Sequence, residues 1–159
     1  MRLVGRQFLS YLFAVGTICV IGCSKDMPPP KLGDTVELTG IITLDGKPLE
    51  GASVRFAPNS KDGFHGAVGV TDASGKYDLY TDIGNGKSKD GIIPGDYTVF
   101  VSRIVRLDGS VLPLNSNEPP MMSGGRDQIP IKYATDRGRI SYHVREKGGT
   151  FDIKLDTKP

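Results

Sequence analysis

TGIITLDGKPLEGASVRFAP, residues 39–58, decides how the rest of the chain is read. Around its Asp45-Gly46 pair the apolar residues recur at every second position. Val36, Leu38, Ile42 and Leu44 alternate with Glu37, Thr39 and Thr43, and Val54 and Phe56 stand two apart. A period of two puts one face of an extended chain on a core and the other in water. Asp-Gly suits a tight hairpin because glycine accepts a positive φ at no steric cost. The stretch therefore predicts two strands joined by a turn.

The same period continues outward. Ile140, Tyr142 and Val144 alternate with Ser141, His143 and Arg145, and Phe151, Ile153 and Leu155 with Asp152, Lys154 and Asp156. Shorter strands are predicted around residues 53–57, 66–71, 76–81 and 96–104. Between them lie Asp72-Ala73-Ser74-Gly75, expected to close the next strand pair, and Pro94-Gly95-Asp96, where proline fixes φ and glycine supplies the left-handed residue. About seven strands punctuated by turns predict an all-β, antiparallel sandwich, and no segment has the pattern of an amphipathic helix. The 21 glycines are turn punctuation, since none forms a GxxxxGK[ST] phosphate loop.

Three motifs in succession, TGIITLDGKPLEGASVRFAP (39–58), GVTDASGKYDLY (69–80) and IPGDYTVFVS (93–102), resemble the signatures of carboxypeptidase-regulatory-like domains. The segment 129–155 resembles the closing strands of small bacterial lipoproteins of this kind. The resemblance implies one transthyretin-like β-sandwich over residues 35–156, without peptidase activity, because in the parent enzymes this domain is an accessory. As scaffold the motifs make physical sense: Val54 and Phe56, Tyr77 and Leu79, and Tyr97, Val99 and Val101 offer apolar side chains to one interior. A domain of about 120 residues buries around two thirds of its unfolded surface without disulfides.

Upstream, CVIGCSKDMPPP (19–30) breaks an apolar run at a cysteine. Arg2 and Arg6 form a basic start and residues 8–21 an apolar stretch too short to span a bilayer, which needs about 20 apolar residues. Residues 1–22 therefore read as a secretory signal. Val20-Ile21-Gly22-Cys23 resembles the lipobox of bacterial lipoproteins, which implies that Cys23 becomes the acylated first residue. Stable anchoring takes two or more acyl chains, each buried methylene contributing about 0.8 kcal/mol. Residues 23–34, with Pro28-Pro29-Pro30, read as a semi-rigid tether. The expected location is the cell envelope outside the cytoplasm, with Ser24 resembling the pattern of outer-membrane lipoproteins.

Charge and cysteine usage then exclude several classes. The chain carries 20 Lys+Arg against 18 Asp+Glu, and removing Arg2 and Arg6 leaves the two signs equal. No surplus of positive charge remains to neutralise phosphates, so no nucleic-acid partner is expected. With Cys19 discarded and Cys23 acylated, no thiol is left for a disulfide, a zinc site or catalysis.

Chemistry-bearing residues are few. His143 and Glu146 match HxxE, but positions three apart in a strand point to opposite faces, and a catalytic zinc wants a third ligand. Asp82, Asn85 and Asp90 carry oxygens suited to calcium without the EF-loop spacing. No cofactor or metal is expected. The long irregular stretch 106–128 is the candidate binding loop: Arg106, Leu112, Met121, Met122 and Arg126 give it apolar and cationic contact groups, with the 84–91 loop as a second candidate. The sequence thus points to a non-catalytic, membrane-anchored binding or structural module whose partner is an envelope protein or a glycan. The alternatives are a carbohydrate- or peptidoglycan-binding module, disfavoured by the absence of Trp, and a cryptic metal-dependent hydrolase.

Overall fold

The computed structural model describes residues 33–59, 65–84, 86–113, 116, 119, 122, 124–134 and 138–158. The signal, the lipobox Val20, Ile21, Gly22 and Cys23, and the tether up to residue 32 lie outside the described residues, as do Asn85 and Met121.

In chain order the strands are β1 (Leu38–Leu44), β2 (Lys47–Pro48), β3 (Ser53–Pro58), β4 (Ala67–Val70), β5 (Lys76–Asp78), β6 (Tyr80–Gly84) and β7 (Lys87–Asp90). They continue with β8 (Gly95–Ser102), β9 (Ile104–Val105), β10 (Arg126–Asp127), a 3-10 turn at Ile131–Ala134, β11 (Ile140–Val144), β12 (Gly149–Thr150) and β13 (Ile153–Leu155). Two principal sheets form. The larger is antiparallel, in the order β11-β8-β3-β4-β6-β7; the smaller is built on β1, flanked by β5 and β2 on one side and by β12 and β13 on the other. The protein is an all-β sandwich, as the period of two predicts. Its smaller sheet is mixed, because β12 and β13 run parallel to β1, with Leu38 opposite Gly149 and Ile42 opposite Ile153.

Each predicted strand face is the buried one. Leu38 and Ile42 of β1, Tyr77 of β5, and Ile153 and Leu155 of β13 meet Val54, Phe56, Ala67, Val99, Val101 and Val144 of the larger sheet in one core. Phe56, fully buried, is its hub: its ring centre lies 6.4 Å from that of Tyr77, 6.0 Å from Tyr97 and 6.5 Å from Phe151. Aromatic pairs at such separations add to the area they bury, by about 0.5–1.5 kcal/mol each.

The turns form, but two of them join different partners from those predicted. Asp45 (φ 50°) and Gly46 (φ 76°) both adopt positive φ, as a type I′ hairpin requires, yet the turn returns into the two-residue β2 and not into β3, which lies in the opposite sheet. The turn at 72–75 is closed by Asp72, whose Oδ1 accepts the N–H groups of Ser74 (2.8 Å) and Lys76 (3.0 Å) and the Ser74 hydroxyl (2.7 Å). It carries the chain from β4 in one sheet to β5 in the other, so it is not a hairpin. The strand predicted over 76–81 divides at buried Leu79: Lys76–Asp78 pairs with β1, and from Tyr80 onward the chain pairs with β4. The 84–91 stretch is no loop, since Lys87–Asp90 returns as β7 along β6.

β1 carries a glycine at its centre for a steric reason. Gly40 faces Tyr77 across the β1–β5 pair, and the Tyr77 hydroxyl reaches past it to donate a 2.7 Å hydrogen bond to the Phe151 carbonyl. A Cβ on Gly40 would stand 1.9 Å from that carbonyl oxygen and 2.9 Å from the hydroxyl. The bond therefore exists only because residue 40 has no side chain. It ties β5, β1 and the C-terminal segment together across the middle of the smaller sheet. Burial drives the Tyr77 phenol well above the ordinary tyrosine range, so it stays a neutral donor.

Candidate binding cleft

The candidate surface that gathers predicted binding residues grows out of the end of β8. After Ser102 the chain continues into β9, turns, and returns through residues 111–112, whose contacts fasten the excursion: Leu112 N–H donates to Ile104 O (2.9 Å) and Val111 bridges Val105. At the turn tip Arg106 N–H donates to Ser110 O (2.8 Å), Gly109 N–H to Arg106 O (3.0 Å), and Asp108 Oδ1 accepts the Ser110 N–H and hydroxyl. Those two bonds from Ser110 hold the Asp108 carboxyl below the usual range. The far end of the excursion is tied down by β10, which pairs antiparallel with β9, Arg126 opposite Val105. The stretch predicted as irregular is thus anchored at both ends by backbone pairing.

Arg103, absent from the predicted set, is the keystone. Its N–H donates to Asp127 Oδ1 (3.0 Å), its carbonyl accepts the Gln128 N–H (2.9 Å), and its Nε–H donates to Glu50 O (2.7 Å). Its Nη1 also donates to Gln128 Oε1. Asp127 Oδ1 accepts Ile129 N–H as well (2.9 Å). Between these anchored segments opens a cleft of about 560 Å³ whose lining includes Arg103, Arg106, Leu107, Arg126, Asp127 and Gln128.

Of the predicted binding residues, the fold brings Arg106 and Arg126 together in this cleft. Met122 lies close by in sequence and is exposed, whereas Leu112 is half-buried and outside the lining. Met121 lies outside the described residues. Leu107, missed in the sequence reading, is 86% exposed, and a Cβ on Gly124 would touch it at 3.4 Å. A leucine between arginine and aspartate at a turn tip is the signal that marks it, because polar residues ordinarily fill such positions. Arg103 had no sequence signal beyond following the last alternating residue of β8.

The other candidates are less developed. His143 lies on the exposed face of β11 with Nδ1 2.7 Å from Asp96 Oδ1, a carboxylate on the neighbouring β8. Glu146 is exposed in the turn that follows. Among the described residues no three His, Cys, Asp or Glu side chains gather as a metal-ligand set. Asp82 of the calcium candidates turns Oδ1 onto the Gly84 N–H (2.8 Å).

No family model and no curated protein matches the chain. Among solved structures it is similar to a DUF3823 family protein from Parabacteroides merdae, at 11% identity and a TM-score of 0.38, over 80% of this chain and 48% of that one. It is also similar to the major pilin subunit of Bacillus cereus, at 13% identity and a TM-score of 0.37, over 79% of this chain and 30% of that one. The chain spans less than half the length of either.

Proposed function

We propose that the chain is a lipid-anchored, non-catalytic protein of the cell envelope, whose sandwich serves as a binding module with the Arg103–Arg106–Arg126 cleft as its contact surface. The lipobox-like Val20-Ile21-Gly22-Cys23 supports the anchor, and the neutral charge balance supports a partner other than nucleic acid. The carrying observation is where the cleft opens. The first described residues come in beside Ile92 and Ile93, just before β8 begins: Val36 pairs with Ile92, and a Cβ on Gly33 would touch Ile93. The cleft lies just beyond the other end of β8, whose eight residues span roughly 23 Å at about 3.3 Å per step. A membrane anchor on one end of the sandwich would leave this surface directed away from it.

Two measurements test the reading. Metabolic labelling with a radiolabelled fatty acid is expected to mark the wild-type chain and to be abolished in Cys23→Ala; persistent labelling of that variant refutes the anchor. A photo-crosslinking residue placed at Leu107 in intact cells is expected to capture one partner that the same probe at Lys47 does not. Equal capture at both positions refutes the cleft as the contact surface.

A further inference from the structure

We propose that the cleft binds an oxyanion, a carboxylate or a phosphate ester, carried on an apolar group; this rests on the reading of the cleft as the contact surface. The sign of the charge follows from what the arginines already touch. Arg103 is held by two neutral acceptors, the Glu50 carbonyl and the Gln128 side-chain amide, so its guanidinium is fixed in place while its charge is not cancelled and Nη2 remains to donate. The Arg126 side chain makes no hydrogen bond or ion pair among the described residues, although its backbone is paired in a strand. Arg106 completes the lining, its Nη1 3.3 Å from Ser110 Oγ. The lining sets three guanidiniums against one carboxylate, Asp127, whose Oδ1 accepts the N–H groups of Arg103 and Ile129, and Asp108 stands beside Arg106.

A cation would meet an excess of positive charge here. An oxyanion would meet a fixed fork and a second arginine, and the planar guanidinium matches carboxylate and phosphate oxygens two at a time. The apolar half of the ligand follows from Leu107. A leucine 86% exposed against Gly124 at the rim of the cleft, beside Val105, gains by being covered, and the cleft volume falls within the range of small-ligand sites. The class is therefore an anionic group joined to a hydrocarbon, and not a free inorganic ion.

Titration calorimetry on the full chain in uncharged detergent micelles tests this with three probes of one shape: phenyl phosphate, 3-phenylpropionate and the neutral 3-phenylpropanol. At least one anion is expected to bind and the alcohol not, and whichever anion binds identifies the source. Arg126→Gln, at an exposed site, is expected to weaken binding about tenfold, the value of one lost charge-assisted hydrogen bond. Lys147→Gln, an exposed cation elsewhere on the surface, is expected to leave it unchanged. Binding of neither anion, equal binding of the alcohol, or undiminished binding in Arg126→Gln overturns the proposal. Partner capture from Leu107 without anion binding overturns the oxyanion alone and leaves the contact surface standing; loss of both removes the two together.

Discussion

Replacing Gly40 by alanine should break one particular hydrogen bond, and a double-mutant cycle can read that out. The new Cβ would lie 1.9 Å from Phe151 O and 2.9 Å from the Tyr77 hydroxyl, whereas real Cβ contacts essentially never fall below 3.0 Å. The backbone of residue 40 or 151 must therefore move by on the order of an ångström, a shift that overpacked cores absorb at about 1–3 kcal/mol. Phe151 cannot recede freely, because its N–H is bonded to Thr39 O (2.8 Å) and its ring packs on Tyr142 at 3.9 Å between centres. The Tyr77–Phe151 bond is lost in the process, and leaving this part-buried carbonyl without its donor costs about 1–3 kcal/mol. Gly40→Ala should thus destabilise by about 2–6 kcal/mol, and Tyr77→Phe alone by about 1–3 kcal/mol. Since the bond can be lost only once, the double variant should be less destabilised than the sum of the singles by about 1 kcal/mol or more. Urea unfolding followed by far-ultraviolet circular dichroism measures all four corners. Additive effects would mean that Gly40 and the Tyr77 hydroxyl are energetically independent, and would refute the steric account of the glycine.

Other perturbations have equally specific outcomes. Thr71 is buried, with Oγ1 donating to Leu49 O (2.5 Å) and accepting Ala52 N–H (2.8 Å), so Thr71→Val orphans two backbone groups and should cost about 2–4 kcal/mol in the same unfolding assay. Hydrogen bonds from Ser74 depress the Asp72 carboxyl, and those from Thr157 depress Asp45. Their contributions are full above the unfolded carboxyl value, near 3.8, and vanish as the pH falls through the lower folded value. Stability measured from pH 6 to pH 2 should therefore fall less steeply on the acid side in Asp72→Asn and Asp45→Asn than in the wild type. In Gly91→Ala the Cβ would meet Val36 O at 2.5 Å at a φ of 89°, so the bridge between Val36 and Ile92 should open, read as accelerated amide exchange at both residues.

The alternation of side chains was legible because each strand has one wet face: Val54 and Phe56 of β3, and Tyr97, Val99 and Val101 of β8, are buried as their period requires. Which strands neighbour one another was not legible, and the reason is visible at Leu79. From Tyr77 to Thr81 burial alternates without interruption, buried, exposed, buried, exposed, buried, while the hydrogen bonding passes from β1 in one sheet to β4 in the other. Side-chain period reports which face is dry. It carries no record of the partner. The same blindness affected the Asp45-Gly46 and 72–75 turns, whose local chemistry is as predicted and whose outgoing strands are not. It also hid β7: Lys87, Ser88, Lys89 and Asp90 are all exposed, so this edge strand has no period to detect, and its charges suit an edge that must not recruit another strand.

The cleft was half legible for a related reason. Arg106 and Arg126 could be singled out as cations in an unusually long connection, but what joins them is the pairing of β9 with β10 across some twenty residues, and two-residue strands leave no periodic trace. Arg103 is more instructive. In sequence it is one more arginine after a strand; in the fold it is the group through which the Glu50 turn, β9 and the residues after β10 are held to one another. A charge held by neutral oxygens is a property of contacts made over 25 and 53 residues of separation, and no local pattern encodes it. That same property makes the cleft cationic although the whole chain carries only two more basic than acidic residues. The local field at a site is set by which charges stand nearby, and a balance of twenty basic against eighteen acidic residues is compatible with a surface on which three arginines face one carboxylate.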